Sequence, residues 1–77
     1  MKIVQVDWLD PCEDGPTWQT HGEAIERKPA ECHSVGYLAH QDDERVVLCS
    51  TWIYDDDETV SRPLVIPAGC VVRVVEL

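Results

Sequence analysis

The sequence predicts a mainly β domain, a small five-stranded barrel with one short helix in the region 20–28. Three observations predict it. Valine-rich runs recur along the chain, and the first of them alternates apolar with polar side chains. Proline, glycine and acidic clusters punctuate those runs at short intervals. Five short strands with turns this close together favour closure, because closing the sheet removes edges that a small open sheet cannot protect. An open sheet with the helix packed on one face is the second arrangement the pattern allows.

In residues 3–8, Val4, Val6 and Trp8 alternate with Gln5 and Asp7, which reads as a half-buried first strand ended by Asp10-Pro11. Pro11, Gly15 and Pro16, set among Asp10, Glu13 and Asp14, make an irregular loop with Trp18 as its expected anchor to the core. Thr20 and Glu23 have capping-box spacing, in which hydroxyl and carboxylate each satisfy a backbone N–H at a helix start. Ala24 and Ile25 would form the buried side, and Pro29 stops the helix because it has no N–H to continue the ladder.

Residues 35–40 and 45–53 flank the acidic turn Gln41-Asp42-Asp43-Glu44, a hairpin pattern in which Gly36 marks a bend or bulge. Alternation in the second arm puts Val46, Leu48, Ser50 and Trp52 on one face, and Val47, Cys49, Thr51 and Ile53 on the other. Both faces are largely apolar. One face is expected to fill the interior, the other to meet the helix, the loop or a second subunit. Asp55-Asp56-Asp57-Glu58 makes a second exposed turn, and a fourth strand starts at Pro63-Leu64-Val65-Ile66. Pro67-Ala68-Gly69 is a tight break before the last strand, residues 70–77.

Ser34-Val35-Gly36-Tyr37-Leu38, the acidic hairpin turn, Val46-Val47-Leu48 and the run from Leu64 through Pro67-Ala68-Gly69 to Val75 resemble the SH3-like and Sm-like small barrels. A bent strand, two hairpins and a very short turn before the last strand recur in those folds, and the resemblance covers roughly the last 45 residues. It implies a fold and not a function. Sm-like proteins carry RNA-binding residues on a basic surface, whereas this chain has no Asn and no positive balance, so RNA binding is not carried over. The acidic composition, the Trp-containing first strand and the closing valine strand also resemble small accessory proteins encoded by bacteriophages. That likeness implies a viral protein in the host cytoplasm that binds and inhibits host proteins or sequesters signalling molecules.

Seventy-seven residues allow one domain, spanning 1–77, and a chain of this size buries too little surface to be more than marginally stable alone. Self-association is therefore expected. A net charge of -9 and a sequence pI near 4.4 disfavour polyanions, so neither nucleic-acid backbone nor anionic membrane is an expected partner. Residues 1–7 lack the apolar run of a signal peptide, which predicts a cytoplasmic protein with reduced thiols.

Four cysteines with His21, His33 and His40 could supply a structural zinc site, the third functional alternative. The spacing opposes it: the nearest pair, Cys32 and Cys49, is 17 positions apart, and neighbours Cys32 and His33 on one strand point to opposite faces. Cys49 and Cys70 are expected to fill core space, with Cys12 and Cys32 in or beside the loop. The 55–58 run lacks the alternate ligands and glycine of a calcium loop, and no local signature pairs a nucleophile with a histidine. No metal, no cofactor and no enzymatic activity are expected.

Two binding hypotheses remain. In the first, Asp42, Asp43, Glu44, Asp55, Asp56, Asp57 and Glu58 meet a basic surface on a protein partner, which makes the chain an interaction or inhibitor module. In the alternative, an oligomer holds a small ligand such as a nucleotide between Tyr37, Arg45, Trp52, Tyr54 and Arg62, residues at or near strand ends.

Overall fold

Seven strands, one helical turn and one 3-10 turn account for the regular structure in the computed structural model, which describes residues 1–13 and 15–77. Asp14, expected in the irregular loop, lies outside the described residues. In chain order the elements are β1 (Ile3–Asp10), α1 (His21–Ala24), β2 (Ala30–Gln41), β3 (Arg45–Cys49), β4 (Thr51–Trp52), β5 (Val60–Ser61), β6 (Leu64–Pro67), the 3-10 turn Ala68–Cys70, and β7 (Val71–Glu76). Five strands form one antiparallel sheet in the order β6-β3-β2-β1-β7, and β4 pairs with β5 in a separate hairpin.

The expected alternation in β1 decides which face is buried. Val4 and Val6 point inward and join Val46 and Leu48 of β3 and Ile66 of β6 in one buried cluster, with Trp8, Leu38, Val71 and Val74 packed against it. In the hydrogen-bonded order β1 and β6 are three strand steps apart, which is about 14 Å in a flat sheet. Ile66 and Val6 are nevertheless both 0% exposed in the same cluster, so the sheet curls strongly round its interior. Two bulges add twist where the curl needs it, at Asp7/Trp8 against β7 and at Leu38/His40 against β3. Gly36 serves the same bend by close approach. A Cβ there would lie 2.8 Å from the Cys49 carbonyl oxygen.

The expectation of mainly β structure with one short helix holds at this level, while several finer expectations are corrected. Among the described residues no ladder joins β6 to β7, so the sheet is curled and open at that seam rather than a closed five-stranded barrel. β2 runs five residues further back than expected, because its first half pairs with β1 from Ala30 onward. The expected strand 45–53 breaks at Ser50. There the N–H and hydroxyl of Ser50 both donate to the Ser61 carbonyl (3.2 and 3.4 Å), turning the chain off the sheet into the β4–β5 hairpin. Trp52 consequently does not share a face with Val46 and Leu48.

The segment before β2 departs most. Thr20 caps α1 by accepting from the Glu23 N–H (3.1 Å), but its hydroxyl donates to the Glu23 carboxylate instead of leaving that carboxylate to a backbone N–H. No residue of α1 is buried, Ile25 is exposed, and Trp18 is 90% exposed rather than anchored in the core. A helix of four residues has no apolar face long enough to dock.

Candidate functional site

The two acidic clusters lie at opposite ends of β3. The first, Asp42-Asp43-Glu44, closes the β2–β3 hairpin, and Asp42 is its keystone: Oδ1 accepts from the Glu44 and Arg45 N–H groups (2.8 and 2.9 Å) and Oδ2 lies 2.7 Å from His40 Nε2. These contacts, the one to His40 foremost, hold its carboxyl well below the usual carboxylate range. Glu44 pairs with Arg45 at 3.3 Å, and its carbonyl accepts from the Ala68 N–H, which docks the 3-10 turn on this hairpin.

The second cluster repeats the device. Asp55 accepts from the Thr59 N–H (2.9 Å) and hydroxyl (2.8 Å), which lower its pKa and close the turn beyond β4. Asp42 and Asp55 are thus occupied by their own turns. Asp43, Asp56, Asp57 and Glu58 remain exposed, with Glu58 at a left-handed φ of 51°. Two separate acidic poles result, flanking a strand that spans about 13 Å.

Of the five alternative ligand residues, three come together. Tyr37, on the face of β2 that points away from the core, meets the Trp52 ring edge-on at a centroid distance of 5.9 Å, and Tyr54 stacks on Trp52 at 4.5 Å. Tyr54 is 87% exposed and free to meet another molecule. The Trp52 Nε1 is buried with no hydrogen-bond partner among the described residues. Arg45 is not part of this group: it sits at the start of β3 beside Asp42 and Glu44, whereas the aromatics gather beyond its end. Arg62 lies at the corner before β6 and faces a cleft bounded by Ser34, Val35 and Leu64.

A group that strand alternation placed correctly, but that was not singled out, crosses the outer face of the sheet. Asp7, His33 and Arg73 are cross-strand neighbours on β1, β2 and β7. Asp7 is 6% exposed and accepts from His33 Nδ1 (2.6 Å), Arg73 Nε (2.5 Å) and Gln5 Nε2 (2.8 Å). The bond to His33, then that to Arg73, holds its carboxyl far below the ordinary value. An ionised carboxylate only accepts, so His33 Nδ1 carries the proton and Nε2 is left to solvent. Cys32 points to the opposite face, and the Ser34 hydroxyl already accepts from the Trp8 indole at 3.0 Å, so the His–Asp couple is given no nucleophile by its strand neighbours. The group acts as a polar strut locking three strands in register.

The thiols are dispersed. Cys49 is buried on the outer side of β3 opposite Tyr37, Cys70 packs half-buried in the 3-10 turn, Cys12 is exposed, and Cys32 lies near the start of β2, beside the loop. Among the described residues no group of three Cys, His, Asp or Glu could hold a metal ion, and no helix is long and apolar enough to cross a membrane. Comparison with protein-family models, curated proteins and solved structures found no match for this chain.

Proposed function

We propose that this chain is a non-catalytic interaction module that works as a homo-oligomer and offers its acidic poles to a basic surface on a protein partner. The observation that carries the reading is an excess of surface. A folded chain of 8.7 kDa exposes about 4,700 Å² by the usual scaling, whereas this one exposes 5929 Å². The difference is on the scale of the ~800 Å² that each partner contributes to a stable interface.

The exposed surface is of a kind that favours cover. Ile3, Val65 and Val75 lie exposed on the outer face, and the two edge strands carry Leu64, Val65 and Val72 with no lysine to deter pairing. Joining the β6 edge of one copy to the β7 edge of the next would continue the sheet. Such a contact is heterologous, so it closes a ring or runs on as a filament. The strand order, and the three-residue turn between the edge strands, support the SH3-like or Sm-like reading of the fold.

Sedimentation velocity and native mass spectrometry test the assembly. An oligomer that dissociates in Val65→Lys and Val72→Lys variants is expected; a monomer at micromolar concentration overturns the proposal. The acidic contact is tested with Asp43, Asp56, Asp57 and Glu58 changed to Asn or Gln, which spares Asp42 and Asp55 and their turns. Capture of a protein partner should then weaken, and equal capture by this variant removes the acidic poles from the interface.

A further inference from the structure

β2 is twelve residues long, yet β3 pairs with its last part only, from Tyr37 to Gln41. Residues 30–36 pair with β1 on one side and, among the described residues, with no strand on the other. The cause is the break at Ser50, where the chain leaves the line that β3 would have continued. A cleft of about 300 Å³ remains, walled by Ser34 and Val35 of β2 on one side and by Ser50, Arg62 and Leu64 on the other. Leu48, from the core face, and Cys49, from the outer face, both line it. The cleft lies at the end of β3, beside the part of β2 that β3 does not pair.

An unpaired strand edge offers main-chain donors and acceptors to any extended segment, and this one carries no lysine, proline or bulge to deter pairing. Arg62 stands at the cleft with a backbone φ of 52°, a left-handed conformation that disfavours any residue with a Cβ. Its guanidinium has no ionic or hydrogen-bond partner among the described residues, whereas Arg27, Arg45 and Arg73 are all engaged. In a chain of net charge -9, that free cation is a local attractor for an anion, and the fork of a guanidinium fits a carboxylate.

We propose that this cleft is a strand-addition site that receives an extended peptide segment pairing with residues 30–36, with a carboxylate of that segment held by Arg62. The site is independent of the self-association argued above. The probe is an acetylated hexapeptide of alternating threonine and valine ending in a free carboxylate, titrated into the isotope-labelled protein beside its C-terminal amide. Chemical-shift changes and slowed amide exchange are expected at residues 30–36 and at Ser50 and Arg62. Both the amide peptide and the Arg62→Gln variant should bind about tenfold more weakly or worse.

Arg62→Gly separates binding from folding: it should raise the thermal midpoint, because glycine accepts the left-handed backbone, while losing the peptide. The proposal is overturned if the carboxylate peptide does not bind, if it binds no better than its amide, or if the amides of residues 30–36 that point away from β1 already exchange slowly without peptide. Sedimentation of the same samples reports the oligomer separately, so either reading can fail alone.

Discussion

Asp7 is the buried charge of this sheet, and its surroundings predict how stability depends on pH. Its folded pKa lies below the unfolded value, so the unfolded chain binds the proton more readily. The stabilisation is therefore fully present above about pH 4 to 5, near and above the unfolded carboxylate pKa, and is lost as pH falls toward the depressed folded value. Acid unfolding followed by circular dichroism should show this loss, and Asp7→Asn should flatten it; an unchanged acid limb in that variant would assign the effect to Asp42 or Asp55. Gly36→Ala is expected to cost about 1–3 kcal/mol, because the added Cβ meets backbone that cannot rotate away. Trp52 calls for two variants. Trp52→Phe keeps a ring and removes the orphaned donor, so denaturant midpoints should hold or rise, whereas Trp52→Ala should cost about 2–4 kcal/mol through lost packing. Equal losses in both would mean that the indole N–H has a partner.

At the scale of elements, the strands whose inner side chains meet a partner across the core were legible in the sequence, and those set by tertiary pairing were not. Val4 and Val6, Val46 and Leu48, and Ile66 are buried as their alternation predicts. Residues 30–34 carry no strand-like pattern of their own and are extended because β1 lies alongside them. Ser50 gave no local sign of a break, since its effect depends on the Ser61 carbonyl eleven residues on. The same reason explains the candidate site. Tyr37, Trp52 and Tyr54 do meet, but position near a strand end, which groups Arg45 with them in the sequence, does not say which end, and Arg45 lies at the other end of β3. The Asp7 strut was written in the alternation of β1, yet its partners lie 26 and 66 positions away. Helix α1 misled because its capping signal is local and real while its apolar residues find nothing to cover. Trp18→Ser and Ile25→Ser should accordingly change monomer stability by no more than about 0.5 kcal/mol in urea titrations. A larger loss would show that this segment is covered, by the sheet or by a second copy.

The whole molecule sets two long-range tendencies against each other. Its dimensions are 55 × 21 × 21 Å with a radius of gyration of 16.0 Å, against about 11–12 Å for a compact chain of this length. An elongated body keeps much of its apolar area outside, which favours association, while every copy carries a net charge of -9, which opposes it. Treated as point charges ~30 Å apart in water, two copies repel by on the order of 10 kcal/mol without salt. Screening with a Debye length of ~30 Å at 10 mM leaves roughly 4 kcal/mol of that repulsion, and ~10 Å at 0.1 M leaves less than about 1 kcal/mol. Apolar burial at the contact hardly changes over that range. Added salt should therefore tighten self-association by at least about tenfold between 10 and 100 mM, read as a falling dissociation constant in sedimentation equilibrium. Ion pairs across the contact would give the opposite slope. A dissociation constant that rises with salt would place Arg or Lys against the acidic poles of the neighbouring copy, and would make those poles the glue of the assembly instead of its restraint.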